Sequence, residues 1–357
     1  MKILADTWSA FDVLDQATFA HAILHALPKA CPEDEFLYLE ETDQSKDFSY
    51  ANVRGVNPLD EPTGDVYFSP GATTFDGNIP KVLTILNLDH LRFPLKFWYH
   101  FGRTPKDHLP AIIEKADKLL VTHRAIGEIL QNHYAVQREK ITIVGHGPPL
   151  GNWLTGPVDD VTRRITKEVY GREQSYFLAP LSGHPSDNLD RLLAAYRLFR
   201  NRCPEQVMLL LSGEESHQVR AVRKAVKTHP FTKDITWLPA LSTAERRKVV
   251  ASARTILYPS LSSRFPLPVL QAWAAHVPVL YTDNDILRGA GALVQGEDVN
   301  SIAEGMVSLV TTPFLASGLV ENGKRRLQDF SWEAVAEKVA EVLRSVTDQS
   351  SSRSSEQ

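Results

Sequence analysis

Short apolar runs alternate with longer amphipathic stretches along most of this chain. In the first half KILAD, EFLYLE, DVYFS, KVLTILNL, KLLVTH and KITIVG are compact apolar runs bounded by polar residues, and they predict strands. Residues 15–27 and 124–133 carry helical spacing instead; in the second of these Ala125, Ile129, Leu130 and Tyr134 fall near one face. At 145-GHGPPLGNWLTGP-157 glycine and proline become dense and no period survives, which predicts a boundary.

The alternation then restarts. SYFLAPL, QVMLLLSG, DITWLPA, TILYPS, VPVLYT and GALVQG predict strands, with helices at 188–202 and 243–253. A last helix is expected over 331–346, capped by Ser331 and carrying Glu333 in its first turn, where a carboxylate suits the helix dipole. Strands alternating with helices predict parallel sheets covered on both faces. The expected architecture is α/β, with two Rossmann-like doubly wound domains facing across a cleft. Residues 1–148 form the first, 149–170 a linker region, 171–330 the second, 331–346 a C-terminal helix, and 347–357 a polar, Ser-rich disordered tail. Ligands of such sheets bind beyond the carboxyl ends of the strands. No internal repeat of solenoid length is visible.

Composition narrows the function. The chain has 357 residues, 43% of them hydrophobic, and a formal net charge of −4, which argues against a general nucleic-acid binder. Cys31 and Cys203 are far apart and in no metal spacing, so neither a zinc site nor a disulfide framework is expected. No run approaches the roughly 18–20 apolar residues of a membrane span, and MKILADTW reads as a first strand rather than a leader. A cytoplasmic location is the expectation. Asp159-Asp160 and Asp283-Asn284-Asp285 lack supporting ligands, so no metal is expected.

In the second half "DNLDRLLAAYRLF", "VMLLLSG", "ITWLPALSTAERRKVVASARTILYPSLSSRFPLPVLQAWAAHVPVL", "GALVQGEDVNSIAEGMVSLV" and "RRLQDFSWEAVAEKVAEVL" follow one another in an order that resembles the C-terminal domain of family-4 glycosyltransferases, which have the GT-B fold. "TILNLDHLRFP", "ADKLLVTHRAIGEIL" and "EKITIVGHGPP" resemble the family's N-terminal domain more loosely. The resemblance implies transfer of a sugar from a nucleotide-sugar donor, held by the C-terminal domain, to a glycan, lipid or small-molecule acceptor on the N-terminal domain. The configuration would be retained, and no cofactor would be needed beyond the nucleotide-sugar substrate.

The family frame is present with altered chemistry. Its sugar-site block expects two glutamates; Phe265, Leu267, Pro268 and Ala272 stand as expected, while the carboxylate positions are Ser263 and Gln271 and the two glycines are Arg264 and Pro266. The turn at Leu181–Leu189 has Asp187 where the family has a lysine, and an anion there repels a diphosphate that a lysine would attract. The usual N-domain histidine is missing at 86-LNL-88, and 7-TWSAFDVLDQ-16 has no glycine loop. The donor-side candidates are Arg264, Ser262, Ser263, Gln271, Ser182 and His184. Arg264 is placed where a helix should begin, and it and the two serines suit a phosphate, although either serine could instead cap that helix with Arg264 in solvent. His184 is a candidate partial cation near neutral pH.

The acceptor-side candidates are Asn87, Asp89 and Trp98. Trp98 lies in 92-RFPLKFWYHFGRTPKDH-108, whose interleaved aromatics and cations suit a membrane interface, an acceptor groove or a core-packing helix. His146-Gly147 falls where the family has Asn-Gly, and Gly147 is expected to supply a positive-φ turn. No catalytic residue is assigned. Two functions remain open: a divergent glycosyltransferase, with peripheral contact at the inner face of a membrane, or a catalytically inactive relative that binds ligand or partners an active glycosyltransferase.

Overall fold

A computed structural model describes the chain except residues 8–13, 40–47, 49, 61, 93–107, 152, 154–155, 214–222, 239–240, 283–284 and 356–357. The described residues form two units. Met1–Pro148, Ser263–Phe265 and Phe330–Gln357 make the first; Pro149–Ser262 and Pro266–Asp329 make the second.

The first unit holds a parallel sheet of seven strands: β1 (Lys2–Asp6), β2 (Glu35–Leu39), β3 (Val53–Val56), β4 (Val66–Ser69), β5 (Lys81–Ile85), β6 (Lys118–Val121) and β7 (Ile141–Ile143). Their spatial order is β3-β2-β1-β4-β5-β6-β7, so the winding reverses between β1 and β4, where Ile3 faces Val66. Alternate side chains of each strand serve opposite faces. Ile3, Ala5, Phe36, Tyr38, Val66 and Phe68 enter one core, and Leu4, Leu37, Tyr67 and Leu83 enter the other.

The first core is covered by two helices distant in sequence, Leu14–Ala30 and Trp332–Ser355. Phe19, Ile23 and Leu27 of one meet Val335, Val339 and Leu343 of the other. The C-terminal helix therefore belongs to the first unit, and Asp34 fixes it there. That buried carboxylate takes the Met1 amine at 3.0 Å and Arg344 Nη2 at 3.2 Å.

The second unit holds six parallel strands: β8 (Tyr176–Pro180), β9 (Met208–Ser212), β10 (Ile235–Leu238), β11 (Thr255–Tyr258), β12 (Val279–Thr282) and β13 (Ala292–Val294). Their order, β10-β9-β8-β11-β12-β13, reverses between β8 and β11. The helix Leu189–Arg202 covers one face through Leu192, Tyr196 and Phe199, and Val299–Thr311 adds Ile302, Met306 and Leu309.

Four details differ from the sequence expectation. The edge strand β3 was not expected, because VRGV is short, charged and interrupted by glycine. The second half of the linker at 149–170 is a helix, Asp160–Gly171; Asp159 caps it by accepting Thr162 N–H at 2.8 Å, a signal masked by the glycine and proline just before it. The tail expected to be disordered continues the last helix to Ser355. Once Val342, Leu343 and Val346 bury its preceding turns, each added residue extends an existing helix without a new nucleus. Finally, Gly145 has the positive φ (+87°), and Gly147 has a different reason to be glycine: a Cβ there would sit 2.2 Å from the Trp332 ring.

Candidate functional site

In the second unit the carboxyl ends of β8 and β11 lie at the point where the winding reverses, which is where open parallel sheets bind ligands. The turn after β8 is organised by Asp187. Its carboxylate accepts the backbone N–H of Ser182 at 2.9 Å and of His184 at 3.1 Å, and the Ser182 hydroxyl at 2.8 Å. Asp187 is buried, so each of these charge-assisted bonds counts for more than it would in water.

His184 caps the short turn Pro185–Asp187: its Nδ1 accepts the Ser186 N–H at 3.2 Å and lies 2.7 Å from the Ser186 hydroxyl. An imidazolium has no acceptor at Nδ1, so the expected partial cation is a neutral ring in this arrangement. Ser182 and His184 are thus brought together, and the element that joins them is the Asp187 carboxylate.

Asn188 follows with φ +60°, a left-handed conformation that asparagine tolerates better than most residues. Its amide nitrogen donates to Pro259 O at 3.0 Å and Gly296 O at 2.6 Å, and its amide oxygen accepts Arg191 Nη1 at 3.1 Å. Ser186 O accepts Leu261 N–H at 2.8 Å and the Ser260 hydroxyl at 3.1 Å. The loops after β8, β11 and β13 are therefore one hydrogen-bonded assembly. Neither Asp187 nor Asn188 was among the sequence candidates. The turn-forming pair directly before an amphipathic helix was the available signal.

Ser262 donates its N–H to Ser260 Oγ at 3.2 Å and belongs to the same assembly. Gln271 is half-buried in the helix Leu267–Ala274. That helix begins after Pro266, with no side chain capping it, so neither Ser262 nor Ser263 is its cap and Arg264 stands outside its first turn.

Ser263 and Arg264 count with the first unit, where they meet Asp89. Asp89 Oδ1 accepts Ser263 N–H at 2.6 Å and its hydroxyl at 2.7 Å, and Arg264 Nε lies 3.6 Å from Oδ2. Asp89 is 1% exposed, so its charge is compensated by these groups. Asn87 shapes the approach by accepting Asp89 N–H at 2.7 Å, and Ser263 Oγ accepts Leu88 N–H at 3.3 Å. Asn87, Asp89, Ser263 and Arg264 thus form one cluster within the first unit. Trp98 lies outside the described residues.

His146 stacks on Phe265 with ring centroids 3.9 Å apart and meets Trp332 at 4.7 Å. Its Nδ1 donates to Gly147 O at 2.7 Å, and burial lowers its pKa to about 4. It is a packed neutral ring. Among the described residues, no group of three or more His, Cys, Asp or Glu is disposed to hold a metal ion.

The chain superposes on the sucrose-phosphate synthase of Thermosynechococcus elongatus with a TM-score of 0.74 at 17% identity, covering 98% of this chain and 100% of that one. It superposes on Anabaena Alr3699/HepE, solved in complex with UDP and glucose, with a TM-score of 0.72 at 12% identity, covering 97% and 100%. The fold is GT-B. Residues 172–312 of this GT-B chain match the family Glycosyl transferases group 1. D-inositol 3-phosphate glycosyltransferase of Rhodococcus erythropolis is 24% identical over 246 residues, 65% of this chain and 54% of that protein. O-antigen chain mannosyltransferase B of Escherichia coli is 26% identical over 164 residues, 45% of this chain and 43% of that protein. The chain spans about half the length of the curated relatives it matches.

Within the GT-B frame the second unit offers an ordered turn rich in N–H groups at its switch point. Such a turn is chemically an anion cradle. Here its donors point at a carboxylate of the chain itself.

Proposed function

We propose that the chain is a glycosyltransferase of the group 1 type that takes a sugar from a nucleotide-sugar donor and transfers it, with retention, to a glycan, lipid or small-molecule acceptor. One observation carries the reading: the loops after β8, β11 and β13 are locked together at the switch point of a unit whose residues 172–312 match Glycosyl transferases group 1. Ser182, His184, Ser262 and Gln271 are the proposed donor-side residues, and Asn87, Asp89 and Trp98 the proposed acceptor-side residues. Arg264 is assigned to positioning through Asp89. The family-4 affiliation, with Ser263, Gln271 and Asp187 in place of its carboxylates and lysine, is part of the same proposal. So are a cytoplasmic location with peripheral contact at the membrane face and the need for no cofactor or metal.

A second reading has its own support. Asp187 holds the turn's N–H groups with an anion, and 263 and 271 lack carboxylates, which together favour a catalytically inactive glycosyltransferase-like protein that binds ligand or partners an active glycosyltransferase. The test is a transfer assay by mass spectrometry across UDP-, GDP- and ADP-sugars with a mixed glycan and lipid acceptor pool. A donor-dependent mass gain on an acceptor supports transfer. Donor binding without product supports the second reading, and neither binding nor product from folded protein overturns both.

A further inference from the structure

The helix Asp160–Gly171 turns an apolar row outward. Val161, Ile165 and Val169, each four residues apart, are 57%, 50% and 65% exposed, while Thr166 and Gly171 face inward. Residues four apart stack along one face of a helix, so the three side chains form a continuous ridge rather than scattered apolar atoms. A concavity runs beside the ridge, lined by Asp160, Arg163, Arg164, Lys167, Glu168 and Glu173.

The charges flanking the ridge decide the occupant. Asp160, Arg164, Glu168 and Arg172 are exposed and four residues apart, so their signs alternate along the helix: minus, plus, minus, plus. A two-fold axis through the middle of the helix reverses this order in a second copy. Asp160 then faces the partner copy's position 172, and Arg164 faces the partner copy's position 168. Among these four positions no like-signed contact is made, and the apolar ridges of the two copies lie against each other. A surface that complements itself under a two-fold axis is the requirement of an isologous contact. Arg172 has one nitrogen committed to Lys233 O at 2.9 Å, so the inner Arg164–Glu168 pairs matter more.

We propose that this helix is a homodimer contact, formed by antiparallel pairing with the same helix of a second copy. A helix of this length presents a face only about 18 Å long, well short of a standard interface. The association is therefore concentration-dependent rather than permanent.

Sedimentation velocity of the full chain, from micromolar to hundreds of micromolar, tests the proposal. Wild type should shift from monomer toward dimer over that range. Ile165→Glu should remain monomeric throughout. Arg164→Glu should weaken association roughly tenfold, because both copies of the pair are lost and like charges replace them. The double variant Arg164→Glu/Glu168→Arg should restore it to within a few-fold of wild type. All three positions are solvent-exposed, and circular dichroism with thermal melting checks that each variant folds. A monomeric mass at every concentration, a dimer unmoved by Ile165→Glu, or failure of the double variant to rescue overturns the proposal. Monomers that instead co-sediment with anionic phosphatidylglycerol vesicles would assign the ridge to a membrane surface and overturn it equally.

Discussion

Asp187 accepts both the backbone N–H and the hydroxyl of Ser182, at 2.9 and 2.8 Å, so the turn after β8 is closed around an anion that the chain itself provides. Because Asp187 is buried, its removal takes a charged acceptor away from the Ser182 N–H, the Ser182 hydroxyl and the His184 N–H. Asp187→Ala is expected to destabilise the protein by about 1–3 kcal/mol. Asp187→Asn, which keeps one acceptor oxygen, should cost less. Urea unfolding of the two variants checks the order.

His146 sets a pH dependence. Its pKa is about 4 when folded and near 6.5 when exposed, because burial penalises the charged ring. The unfolded chain therefore binds the additional proton between these values. The favourable contribution of neutral His146 is fully present above about pH 6.5 and is lost as pH falls toward about 4, up to roughly 3 kcal/mol. His146→Phe should flatten the fall in melting temperature across that window. An unchanged profile would remove His146 as its cause.

Gly147→Ala places a Cβ 2.2 Å from the Trp332 ring, and Trp332 is held by its indole N–H to Pro148 O at 2.9 Å. The ring cannot yield without losing that bond, so a loss of about 1–3 kcal/mol is expected by thermal or denaturant unfolding. Gly145→Ala acts through backbone strain instead, since φ there is +87°.

Arg264→Ala removes the guanidinium that lies 3.6 Å from the buried Asp89 and keeps the Ser263 hydrogen bonds. The expected loss is on the order of 3 kcal/mol, and Arg264→Ala/Asp89→Asn should recover part of it. A double-mutant cycle measured by unfolding gives the coupling directly; additive losses would show that the pair does not act together.

The strands of both sheets were legible because each is a short apolar run between turn residues, and the helix following Asn188 because its apolar positions keep helical spacing. β3 was hidden by its arginine and glycine, and the helical tail by serines that propagate a helix they could not begin. The site was half legible. Ser182 and His184 were named from their place in the turn, whereas Asp187 entered only as a missing lysine. Its positive role rests on donors that converge in space, and no spacing in the chain encodes that convergence. The pairing of Arg264 with Asp89 was hidden for the same reason: Asp89 lies 175 positions before it in the chain.

The most direct test is a calorimetric titration of wild type and Asp187→Asn with UDP, GDP, ADP and their sugar conjugates. Wild type is expected to bind at least one nucleoside diphosphate. Asp187→Asn is expected to bind it roughly tenfold more tightly, about 1.4 kcal/mol, because a like charge beside the diphosphate has been removed. Heat with no nucleotide in either protein, both shown to be folded, would contradict the placement of a donor site at the turn after β8.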